Sequence, residues 1–109
     1  MTDTLVIGAG PAGLMAAEML VDAGHSVTVA DAKPSVGRKF LMAGKSGLNL
    51  TKAEDFDTFI ASYPDAADWL KPTLQTFGPK DVIAWSETLG QDTFIGSTRR
   101  LFPKSMKAS

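Results

Sequence analysis

Apolar positions near the start of the chain fall into three patterns in quick succession. Leu5, Val6 and Ile7 form a short apolar run, which predicts a strand. From Gly13 the small and apolar positions Ala16, Ala17 and Leu20 recur at helical spacing, which predicts a helix laying a narrow small-residue face on a sheet. Gly24 supplies a C-terminal cap. Val27 and Val29 then alternate with polar neighbours and lead to Asp31, as in a second strand. The order strand, helix, strand is a βαβ unit and puts the chain in the α/β class.

The pattern changes after Asp31. Residues 33–51 read KPSVGRKFLMAGKSGLNLT, glycine-rich and basic with no acid, which predicts a short helical turn from about Val36 and a loop from Gly44. Phe56, Phe59, Ile60 and Tyr63 share one helical face, and Pro64 ends that helix. Asp65 is the predicted cap of the next, which carries Trp69 and Leu70 and which Pro72 divides from a turn holding Leu74 and Phe77. Pro79 opens a third helix with Val82, Trp85 and Leu89, closed by Gly90. The aromatic residues of this stretch read as core. TFIG and RLFP, flanking Ser97-Thr98-Arg99, predict a small hairpin over 93–103. Residues 1–52 are therefore expected as a βαβ unit with a basic glycine-rich loop, and 53–109 as a helical segment plus hairpin that begins an incomplete second region.

Candidate chemistry sits where the first strand meets the first helix. Gly8, Gly10 and Gly13 form a G-x-G-x-x-G turn, and Asp31 follows at close to the spacing of an acid that grips a ribose hydroxyl. Gly8 makes the sharp turn, Gly10 lets backbone approach a pyrophosphate, and Gly13 lets helix and strand pack closely. Pro11 fits the first helical turn, where its missing N–H has no partner to lose. The free amides of that turn, Ala12 among them, attract anions. A carboxylate at Asp31 repels a 2′-phosphate, so NADP is disfavoured there while NAD and FAD remain. Ala32 and Lys33, just beyond Asp31, are further candidate cofactor-binding residues. Arg38 can clamp a pyrophosphate in a bidentate way, Lys39 and Lys45 add positive charge, and Asn49 can bond a flavin or ribose edge.

Composition narrows the field further. The 109 residues suffice for one small domain, with 44% hydrophobic and 21% charged positions, as in ordinary globular proteins. A net charge of −1 gives no general drive toward nucleic acid or membrane, and neither is expected as a partner. With no cysteine and one histidine, His25, no disulfide framework, thiolate site or metal cluster is expected. His25 reads as a surface residue in a turn. No secretory segment precedes the first strand, so the cytoplasm is the expected location. Asn49-Leu50-Thr51 fits a glycosylation pattern by chance. Gly44-Lys45-Ser46 resembles the end of a P-loop, but Lys39 stands where that loop needs glycine. Arg99, Arg100, Lys104 and Lys107 form a basic cluster that reads as a solvated edge.

The segment Gly37-Arg38-Lys39-Phe40-Leu41-Met42-Ala43-Gly44-Lys45-Ser46-Gly47-Leu48-Asn49, with the later WSETLGQDTFIGSTRRLFPKSMKAS, resembles the BaiN-like NAD(P)/FAD-dependent flavoproteins from end to end of the chain. The resemblance implies a partial Rossmann-like FAD-binding unit with FAD on Gly8, Gly10, Pro11, Ala12 and Gly13, Asp31 on the adenosine ribose, and contacts from Arg38, Lys39 and Asn49. It also implies an oxidoreductase that passes electrons from NAD(P)H through FAD, with no substrate or catalytic residue carried over. The chain departs from the family in three places: Asp31 where glutamate is usual, Ser46 where glycine is common, and Arg99 at a glycine-type hairpin position. Members run longer. Two parallel strands are also a poor stand-alone sheet, so the rest of a longer polypeptide or a completing chain is the expected partner. The competing readings are an NAD-binding domain without flavin and a truncated, non-catalytic piece.

Overall fold

Residues 3–44 and 46–108 are described by a computed structural model. The chain divides into two units, one running through Ala43 and the other spanning Gly44–Lys107.

In the first unit, β1 (Asp3–Ile7) leads into α1 (Pro11–Asp22) and returns as β2 (Ser26–Ala30). The two strands pair in parallel, with Leu5 opposite Thr28, Val6 opposite Val29 and Ile7 opposite Ala30. Side chains alternate across the pleat. Thr4, Val6, Val27 and Val29 are half-buried on the face that α1 covers, while Leu5 and Ile7 lie on the other face, 60% and 83% exposed. On α1 the half-buried positions include Gly13, Ala17 and Leu20, whereas Ala16, expected on the packed face, is exposed. Gly24, with φ +89°, follows the helix and donates to the Val21 carbonyl at 2.9 Å. His25 behind it is half-buried rather than at the surface. α2 (Arg38–Leu41) is a single turn starting after Gly37.

The second unit opens with Leu48, buried, and a short strand β3 (Thr51–Lys52). Three helices follow: α3 (Phe56–Ala61), α4 (Ala67–Thr76) and α5 (Pro79–Thr88). β4 (Thr93–Ile95) and β5 (Arg100–Pro103) then form the predicted hairpin, with Phe94 opposite Phe102 and their rings stacked 5.7 Å apart. β5 lies in the middle of a three-stranded antiparallel sheet, β3-β5-β4. β3 went unseen in the sequence because two residues carry no alternation. Leu101, on β5, is buried at the centre of the sheet.

Three expectations for the helices are corrected. α4 runs straight through Pro72, whose missing N–H costs a single bond, to the Asp68 carbonyl. The cap of α4 is Ala66 without a side-chain bond, so Asp65 does not serve. Trp69, expected in the core, is 79% exposed. α3 has the strong cap instead: the Asp55 carboxylate accepts from the Thr58 amide at 3.2 Å and from its hydroxyl.

Candidate functional site: the glycine turn and its acid

The glycine turn is held from three directions, all within the first unit. A Cβ on Gly13 would overlap the Gly8 carbonyl oxygen and lie 3.0 Å from its carbon, so helix and strand approach to a distance only glycine permits. Gly8 itself has φ +103°, a conformation L side chains avoid. Its amide donates to the Ala30 carbonyl at 2.7 Å and ties the turn to the end of β2.

Ala9 is the hidden centre of the turn, 1% exposed. Its amide donates to Asp31 Oδ2 at 2.7 Å, and its carbonyl accepts from the Gly37 amide at 2.7 Å. Gly37 reaches it in a left-handed conformation, φ +64°. Sequence reasoning passed over both residues. Ala9 has no chemistry of its own, and the Gly37 bond joins positions far apart in the chain.

Asp31 is an exposed carboxylate with two backbone donors. Oδ2 accepts from Ala9 and Oδ1 from Lys33, each at 2.7 Å. These amides, Ala9 first, hold its carboxyl below the ordinary value of 3.8, aided by the charges of Lys33 and Arg38. Each oxygen keeps acceptor capacity beyond the one amide it engages. The shorter acid therefore does a structural task as well: it fastens the tip of β2 to the turn after β1.

The helix end beside it is open. The first intrahelical bond runs from the Leu14 amide to the Gly10 carbonyl at 2.9 Å, leaving the Ala12 and Gly13 amides ahead of it without an intrahelical acceptor. A Cβ built on Gly10 would meet nothing within 4 Å, so the space in front of the turn is free. Pro11 is the first helical residue, as its missing N–H allows. These features fit a diphosphate on the amides and a ribose on the remaining Asp31 acceptor capacity.

The other predicted residues are placed as follows. Ala32 and Lys33 are exposed just beyond Asp31, and Lys33 contributes through its backbone amide. Arg38 is exposed, with Nη1 donating to the Ser35 hydroxyl at 3.2 Å, and its charge acts on Asp31. Lys39 is exposed beside it. Asn49 belongs to the second unit, where Nδ2 donates to the Thr51 carbonyl at 2.8 Å and to the Leu101 carbonyl at 3.1 Å, which secures the approach to β3. Lys45 lies outside the described residues. Among the described residues no group of three or more His, Asp or Glu could hold a metal ion. No described helix is long and apolar enough to cross a membrane.

A parallel βαβ unit with this turn and this acid defines a Rossmann-type, dinucleotide-binding domain. The chain belongs to the HI0933-like protein Rossmann domain family, which it matches over residues 2–109. It is similar to a ribosomal RNA dihydrouridine synthase of Haemophilus influenzae, 45% identical over 53 residues, or 49% of this chain and 13% of that protein. It is also similar to a putrescine oxidase of Kocuria rosea, 60% identical over 35 residues, or 32% of this chain and 7% of that protein. The chain thus spans a small part of the length of either relative.

Proposed function

We propose that this chain is the FAD-binding N-terminal part of a flavin-dependent oxidoreductase that takes electrons from a nicotinamide nucleotide. The observation that carries the reading is the Asp31 carboxylate at the glycine turn, with acceptor capacity to spare beside open helix amides. In this reading the Ala12 and Gly13 amides bind the diphosphate, Asp31 orients the adenosine ribose, and Arg38 and Lys39 add charge on the same side. Bound there, FAD would supply a ring system able to accept a hydride and pass its electrons on. Further polypeptide is proposed to cover the Leu5–Ile7 face and to complete the pocket around the ring. A cytoplasmic setting suits a chain without cysteine.

The test is a titration of the intact protein with FAD, followed by anaerobic addition of NADH and NADPH. Tight, saturable uptake of FAD and bleaching of its absorbance by either nucleotide support the reading. A protein that binds NAD and refuses FAD is instead the flavin-free domain. The two relatives suggest two directions for the same cuvette. Reoxidation of the reduced protein by uridine-containing RNA would point to a base reductase, and bleaching by putrescine alone to an amine oxidase.

A further inference from the structure

The second unit contains a half-open cavity of about 510 Å³, a size typical of small-molecule sites. Phe59, Tyr63, Leu74, Phe77 and Val82 supply its apolar wall. The rings of Phe59 and Tyr63 meet edge to face, 5.9 Å apart, and brace one side of it.

One end of the cavity is cationic. Lys52 and Arg100 both line it, and they stand directly opposite each other where β3 pairs with β5. Like charges in that relation repel. Among the described residues the one acid in the lining is Glu54, whose side chain is 11% exposed and lies 3.8 Å from the Lys52 ammonium. Asp55 and Asp81, on the neighbouring cavity past Gly78, are spent on the starts of α3 and α5: Asp55 caps Thr58, and Asp81 accepts from the Gly78 amide at 2.8 Å. The Arg100 guanidinium has no hydrogen-bond or ion-pair partner among the described residues. Two cations therefore face one carboxylate, and the uncompensated one is the planar fork suited to a second carboxylate.

We infer that this cavity binds a small aromatic carboxylate, its ring against Phe59, Tyr63 and Phe77 and its carboxylate on Arg100. The site lies wholly within the second unit and does not depend on the dinucleotide reading. A ligand there joins the burial of a flat apolar body to the neutralisation of a cross-strand cation pair. An inorganic anion gains only the second, and a neutral aromatic only the first.

The intact protein is titrated by calorimetry with phenylacetate, benzyl alcohol and inorganic phosphate, while the methyl resonances of Leu74 and Val82 are followed by NMR. Phenylacetate is expected to saturate at about 1 mM or below and to shift both methyls. The neutral alcohol and phosphate should bind about tenfold more weakly or worse. Arg100→Gln should weaken phenylacetate about tenfold or more, with Arg100→Lys in between. No saturable binding, equal binding of the alcohol or of phosphate, or an Arg100→Gln variant with unchanged affinity overturns the inference. If Arg100→Gln disturbs the amide spectrum, Phe77→Ala takes its place, and unchanged affinity there overturns the inference equally. FAD titrated into the same samples reports on the other site, so the two readings fail separately.

Discussion

At the scale of single residues, the three glycines of the turn are not equivalent, and the difference can be measured. Gly13→Ala drives a methyl into the Gly8 carbonyl, a backbone atom that cannot rotate away. The helix must shift, at a cost of about 1–3 kcal/mol or more, with loss of FAD binding. Gly10→Ala meets open space at φ −86°, so melting should change by no more than about 1 kcal/mol, yet the methyl projects where a diphosphate must approach. FAD affinity should therefore collapse in a protein that still folds. Parallel melting and flavin-quenching curves check both. Asp31 adds a pH signature. Because the Ala9 and Lys33 amides hold its pKa below 3.8, its contribution to stability is fully present above that value. It is lost as the pH falls through the lowered folded-state value. Asp31→Asn should flatten the acid limb of the melting-temperature profile and weaken FAD at neutral pH, and an unchanged acid limb would contradict this assignment. The fingerprint was legible because each of its positions tolerates few residue types. The clasp of Gly37 on Ala9 was not, since a backbone bond across 28 positions leaves no trace in residue type.

At the scale of elements, the helices and hairpin were legible from period and punctuation, while their exact ends and joins depended on tertiary packing that overrides local propensity. Pro72 is the clearest case. A proline in a helix interior usually costs about 3 kcal/mol, yet α4 continues through it for four more residues. α4 packs against α3, and such tertiary contact favours the helix in spite of the lost bond to the Asp68 carbonyl. Pro72→Ala restores that bond, while the freer unfolded chain takes back about 0.4–1 kcal/mol. The net gain should be about 2 kcal/mol, read as a higher denaturation midpoint. A drop would show that the ring packs where the methyl cannot. Arg99 tells the same story in the hairpin. It occupies the left-handed region, φ +62°, at the position where glycine was expected, and its Nε–H donates to the Ala53 carbonyl at 2.6 Å. The bond is worth about 0.5–1.5 kcal/mol and the strained backbone costs about 1 kcal/mol or more. Arg99→Gly loses the one and relieves the other, so it should fall close to neutral. Arg99→Ala loses the bond, keeps the strain and should be less stable than the glycine variant by about 1 kcal/mol.

At the scale of the whole molecule, apolar surface stands out more than apolar core. Among the described residues the buried hydrophobic side chains are Ala9, Leu48, Ile60 and Leu101, while Leu5, Ile7, Met42 and Trp69 are mostly exposed. Parallel sheets are normally covered on both faces, and here one face of β1 and β2 meets solvent. Ile7 tests what covers it. In a polypeptide of these 109 residues, Ile7→Thr removes little contact and should change stability by no more than about 0.5 kcal/mol, while it lowers the binding of an apolar dye. In a longer polypeptide whose added chain packs on this face, the same substitution buries a hydroxyl and opens a void. Together these cost about 1–3 kcal/mol. Denaturation of both proteins with and without the substitution thus measures the covering layer directly. A large loss confined to the longer protein would locate the missing layer over β1. A small loss in both would mean that the face stays wet.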